Sequence, residues 1–143
     1  MNSARSQAGG IDHIGIAVAD LEGAIRLYRD VLGMPLHARE EVPSEGCEVA
    51  FLGNGDSHVE LLRPFSSDGA VARHLERRGP GIHHVAVRVA DMEAALEAAR
   101  DAGLEVLGGG ARPGAQGARV AFLHPKGAGG VLVELTTGRE EVR

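Results

Sequence analysis

Two stretches of the chain, IDHIGIAVADLEGAIRLYRD from Ile11 and IHHVAVRVADMEAALEAARD from Ile82, each carry a histidine at the third position, and two apolar runs, HVELL from His58 and LVELT from Leu132, each carry a glutamate. His13 and His84 therefore form one equivalent pair, and Glu60 and Glu134 another. Imidazole nitrogen and carboxylate oxygen together suit borderline or hard divalent ions such as Zn²⁺, Co²⁺, Ni²⁺, Mn²⁺ or Fe²⁺. The lack of thiolates in the set argues against a closed structural zinc site. Taken singly, a strand histidine is most simply structural, and a glutamate after valine is most simply a solvent-facing strand position. Descent from a duplicated ancestor also preserves such residues without function. Against these readings, a carboxylate buried in an apolar run is costly without a partner, and a shared cation removes that cost. Water would complete the coordination and leave a place for substrate.

The elements that must position these residues follow from the repeat. At an offset of 71, nine of the twenty positions from Ile11 to Asp30 are identical in the second stretch, and the same offset lays VAFL at Val49 over VAFL at Val120. Three extra residues around HPKGAGG then bring the two glutamate runs into line, so the chain reads as two copies of one module. Each copy opens with a β-branched strand, Ile11 to Val18 and Ile82 to Val89. A helix follows, with Asp20 or Asp91 as N-cap, Glu22 or Glu93 in the first turn, and Gly33 or Gly103 past its end. Leu21, Ala24, Ile25, Tyr28 and Val31 supply an apolar stripe at helical spacing in the first copy. Shorter strands are expected near Leu36–Val42, Glu48–Leu52 and His58–Leu62, and near Leu104–Leu107, Arg119–Leu123 and Val131–Thr136. The order is βαβββ, twice: an α+β chain of two tandem modules whose strands form a curved, partly open, barrel-like sheet. The expected divisions are a flexible arm at 1–10, modules at 11–63 and 82–137, a linker at 64–81 and a tail at 138–143, all within one compact domain. The linker carries one more helical pattern, GAVARHLERRG, whose basic patch reads as a solvated face.

Composition bounds the function. A chain of 143 residues with 43% apolar and 24% charged residues suits one soluble domain, and with 3% aromatics its core is aliphatic. A net charge of -5 gives no pull toward nucleic acid or anionic membranes. A single cysteine, Cys47, builds no internal disulfide, and no apolar leader or long apolar span is present, so the cytoplasm is the expected location. Among the other histidines, His83 falls on the opposite strand face and reads as structural, and His58 lies beside a polar turn. His37, His74 and His124 have no counterpart in the other copy.

The paired modules with their His-Glu-His-Glu set resemble the vicinal oxygen chelate superfamily over about Ile11 to Thr137. DHIGIAV, GIHHVAVRV, RPGAQGARVAFLHPK and GGVLVELT resemble the methylmalonyl-CoA epimerase family within it. The resemblance implies a divalent metal on His13, Glu60, His84 and Glu134, an acyl-CoA substrate, a homodimer, and proton transfer at carbon 2 through a metal-stabilised enolate. Glu134 is then ligand and acid/base together. Some members of that family carry a second glutamate three residues after the glycine matching Gly46, where this chain has Val49. Glu48 is the adjacent candidate, and strand alternation points it to the opposite face unless a bulge intervenes. Lys126 and Arg112 are candidate contacts for the CoA phosphates. A glyoxalase I-like lactoylglutathione lyase shares the ligand set, but the first module shows no basic cluster for glutathione carboxylates. A non-catalytic binding protein of the bleomycin-resistance type usually dispenses with the ligands, and an aromatic-poor chain is ill suited to stacking on a planar drug.

Overall fold

The computed structural model describes residues 8–55 and 57–137; most of the expected N-terminal arm and the whole of the expected tail lie outside the described residues. Contacts divide the chain into two compact units, His13–His83 and Met1–Asp12 with His84–Arg143. The divisions fall inside β1 (Ala8–Ala17) and β5 (Gly81–Val89).

In the His13–His83 unit the strands run β2 (Leu36–Val42), β3 (Cys47–Asn54), β4 (Ser57–Pro64), then β1. β1 pairs parallel with β4, setting His13 beside His58 and Gly15 beside Glu60, and β3 pairs antiparallel with both β2 and β4. Alternation sorts these residues onto two faces. Ala50, Leu52, Leu61 and Val18 pack against Leu21 and Ile25 of α1 (Leu21–Ile25), while Glu60 stands opposite Phe51 on the other face.

Asp20 caps α1, its Oδ1 accepting from the Gly23 amide at 2.9 Å. The expected single helix then changes pitch. Arg26–Val31 is wound as a π-helix, with the Leu32 amide donating to the Leu27 carbonyl. The wider turn moves the apolar spacing out of phase, and Val31, expected in the stripe, is 73% exposed beside exposed Leu27 and Leu32. Gly33 ends the segment at φ 76°.

The second unit repeats the plan in the order β5, β8 (Val133–Thr136), β7 (Arg119–Leu123), β6 (Val106–Pro113). β5 pairs parallel with β8, setting Ala86 beside Glu134, and β7 pairs antiparallel with β8 and β6. The helix α3 (Met92–Asp101), capped by Asp91 on the Ala94 amide, buries Met92, Ala95, Leu96 and Ala99 against Val89, Ala121, Leu123 and Leu135. Here the first short strand begins later than expected and runs on through the glycines, because Gly108 (φ 70°) and Gly109 (φ 83°) accommodate irregular pairing with β7. The last strand starts at Val133, two residues later than expected. The linker helix α2 (Ala70–Arg78) forms as read and ends on Arg77 and Arg78. No helix among the described residues is long and apolar enough to cross a membrane.

Candidate metal centre

Each unit holds one buried His-Glu pair on the face away from its capped helix. In the first, His13 and Glu60 are 4% and 7% exposed, and Nδ1 lies 2.9 Å from Oε2. In the second, His84 and Glu134 are 4% and 6% exposed, and Nε2 lies 3.2 Å from Oε1. β1 and β5 supply the histidines, while their parallel partners β4 and β8 supply the glutamates, so one pleat places each pair. Two donors at about 2.1 Å from one ion and at right angles to each other are about 3 Å apart, so both pairs are spaced as neighbouring ligands of a divalent ion. The donor chemistry fits as well, since neutral imidazole and carboxylate are what such an ion takes.

An aromatic ring backs each glutamate. Phe51 is the β3 partner of Glu60, and Phe122 is the β7 partner of Glu134. Phe122 also meets the His84 ring edge to face, with centroids 5.6 Å apart. Neither phenylalanine was among the candidate residues, although the repeated VAFL places both at the same point of the module and so carried the signal. Arg112 seats its guanidinium over the Phe122 ring at 5.1 Å. Arg88, also unanticipated, pairs with buried Asp12 at 3.2 Å and donates to the Gly9 carbonyl.

Other candidates are placed elsewhere. Glu48 is ion-paired with Arg39 at 3.1 Å and Arg63 at 3.4 Å, and Arg39 also reaches Glu22 of α1. The β3–β4 register is continuous from Cys47 to Asn54, so no bulge turns Glu48 toward Glu60; it shares the α1 side with Ala50 and Leu52. Val49 lies on the Glu60 side and is buried. Lys126 sits in a short turn, Pro125–Gly127, where its amide donates to His124 Nδ1. That turn follows Leu123 at the far end of β7 from Val120, the partner of Arg112, so the two candidate phosphate contacts are at opposite ends of one hairpin. His37 bonds the Gly53 carbonyl and contacts His58 edge to face. His74 meets the His83 ring in the same way at 5.1 Å, and burial, with help from Arg78, lowers its pKa.

A model of the Glyoxalase/Bleomycin resistance protein/Dioxygenase superfamily matches residues 12–122. The ethylmalonyl-CoA/methylmalonyl-CoA epimerase of Cereibacter sphaeroides is 41% identical over 129 residues, covering 89% of this chain and 96% of that protein. The crystal structure of methylmalonyl-CoA epimerase from Mycobacterium tuberculosis aligns with a TM-score of 0.87 at 41% identity, over 92% of this chain and 89% of that one. A variant of Streptomyces coelicolor methylmalonyl-CoA epimerase in complex with 2-nitronate-propionyl-CoA aligns with the same TM-score at 38% identity, over 91% and 97%. The tandem βαβββ fold is thus the fold of these epimerases.

Cys47 lies on the Glu60 side of β3, and burial first, then the charges of Glu45 and Glu60, push its thiol up to about 12. Its folded value stands above the unfolded one, so the folded state holds the proton more tightly. The linked stability is fully present below about pH 8.5 and is lost as pH rises toward 12. A thiol reagent at pH 8 should label the native protein negligibly and the guanidinium-unfolded protein with one equivalent. Rapid native labelling would contradict the burial.

Proposed function

The chain belongs to the Glyoxalase/Bleomycin resistance protein/Dioxygenase superfamily, and on that premise we propose that it is a methylmalonyl-CoA epimerase whose His13, Glu60, His84 and Glu134 hold one divalent metal ion. The observation that carries this reading is the buried His-Glu pair occurring once in each unit, at ligand spacing, in a chain similar over most of its length to enzymes of that name. The ion, when bound, supplies Lewis-acid stabilisation to the enolate left when carbon 2 of the acyl group loses its proton.

The protein's own groups do the rest. Glu134 is held in place by its strand pairing with Ala86 and Phe122 and by His84, and it takes the proton from carbon 2 on one face. Return of a proton to the other face needs a second donor. Glu48 is unsuited, because Arg39 and Arg63 hold its carboxylate on the α1 side of the sheet. Along the paired parts of β1, β3 and β4, Glu60 is the carboxylate on the side away from α1, and it or a water beside it serves. The apolar walls around both pairs, Val49, Phe51 and Leu62 in one unit and Val120 and Phe122 in the other, keep the reacting carbon from bulk solvent. Lys126 is assigned to a phosphate of the CoA. The protein is further assigned to the cytoplasm, testable by cell fractionation, and to a homodimer, for which exposed Leu27, Val31 and Leu32 offer apolar surface.

Incubation of the metal-loaded protein with one methylmalonyl-CoA epimer in D₂O should give epimerisation together with deuterium at carbon 2; epimerisation without exchange, or neither, would refute the reading. Glu134→Gln keeps a carbonyl oxygen for the ion and loses the base, so metal content should hold while turnover falls by about 10² to 10⁴. Glu48→Gln should leave turnover within about twofold, since a half-exposed ion-pair network on the α1 side of the sheet contributes only about 1 kcal/mol to stability and nothing to the chemistry. Parental turnover in the first variant, with metal retained, would move the base elsewhere. Sedimentation at micromolar concentration should show a dimer, and a monomer there would remove that assignment.

A further inference from the structure

The geometry points to Arg112 as the residue that binds the free carboxylate of the acyl group and so selects a malonyl-type thioester over a simple acyl thioester. This rests on the acyl-CoA reading of the site and changes the place of Arg112 within it, from the phosphates to the reacting end.

The first ground is position. Arg112 lies over Phe122, and Phe122 both touches the His84 ring and stands opposite Glu134, so the guanidinium is two ring contacts from the His-Glu pair. In methylmalonyl-CoA the free carboxylate is bonded directly to carbon 2, whereas the phosphates lie beyond the whole pantetheine arm. A cation held over the ring that backs the proton-transfer carboxylate is therefore on the side of the acyl group, not of the phosphates.

The second ground is the backbone device that puts it there. Leu107 and Arg112 are five residues apart, and in an unbroken strand they would face opposite sides of the sheet. Yet Leu107 pairs with Phe122 and Arg112 with Val120, two residues that share a face. The register break around Gly108 and Gly109, both at positive φ, absorbs the difference and turns Arg112 to the side of Phe122, while Ala111 packs toward α3. An irregularity that turns one charged side chain over the ring backing a buried ligand pair has a use there that a solvated arginine would not require.

The third ground is chemistry. Stacking on Phe122 engages the guanidinium face, and its in-plane N–H groups are the fork that binds a carboxylate bidentately. Arg88 is held to buried Asp12 and the Gly9 carbonyl, and Lys126 is at the other end of the hairpin, so neither is set over the ring that backs Glu134.

The test compares two ligands that differ only in the carboxylate. Binding of an equilibrated mixture of the methylmalonyl-CoA epimers, in which turnover makes no net change, is measured beside propionyl-CoA by calorimetry on the metal-loaded protein, with metal content determined for every variant. Arg112→Gln should weaken methylmalonyl-CoA about 10- to 100-fold, the loss expected for a charge-assisted hydrogen bond, and leave propionyl-CoA within about twofold. Arg112→Lys, which keeps the charge and the stem without the fork, should recover part of the discrimination. Equal weakening of both ligands would make Arg112 a phosphate or packing contact and overturn the assignment, as would no change in either. If the parental protein bound neither thioester, the epimerase reading would fall and this assignment with it.

Discussion

Burying a carboxylate in a sheet face is the constraint around which each unit is arranged. An ionised carboxylate taken out of water costs several kcal/mol even after relaxation, and an imidazole alone beside it offsets only part of that. Glu60 and Glu134 are both under a tenth exposed, each is flanked by a valine and a leucine, and both touch a buried histidine. A divalent ion between such donors converts the desolvation cost into coordination, and the pair spacing near 3 Å is what coordination asks for. In the proposed reaction the same burial would shield the base from water while it acts on a weakly acidic carbon.

The fold supplies this by using the two faces of the sheet within each unit for different ends. One face is aliphatic and closed by a capped helix, α1 or α3, and that packing fixes the strands. The other is then held in register without having to contribute the bulk of the core, which frees it for histidine, glutamate, phenylalanine and, in one unit, arginine. Because β1 pairs with β4 and β5 with β8 in parallel, the residue after the next from each histidine is the neighbour of each glutamate. A one-residue slip in either pairing would turn the glutamate into the helix-packed face. The units differ on these faces: the first carries Val49 and Cys47 along β3 on the side of its pair, and the second places Arg112 over its phenylalanine.

Much of this was legible in the sequence because the repeat doubles every signal. The strand carrying His13 and the strand carrying His84 are read from one alternation, the Asp20 and Asp91 caps from one position, and both His-Glu pairs from one alignment. What escaped depended on long-range geometry or on local departures from ideal period. The π-helical turn at Arg26–Val31 has no residue signature of its own, so the expected stripe runs on to Val31, which the wider turn leaves exposed. The expected strand stops at Leu107, whereas the GGG run lets β6 continue with a changed face, and Arg112 could not be aimed without that shift. Asp12 and Arg88 are 76 residues apart, and nothing local ties them. Glu48 shows the reverse case, where plain alternation was the better guide and the register bore it out.

The proposed site has the two His-Glu pairs serving one ion together. Equilibrium dialysis against Co²⁺, with metal counted per chain for the parental protein and for His13→Ala and His84→Ala, tests it directly. One ion per chain is expected in the parental protein and near-complete loss in each variant, since removing either histidine would open the same coordination sphere. Two ions per chain, or a loss of only half the bound metal in each variant, would show that the pairs act separately and would contradict it.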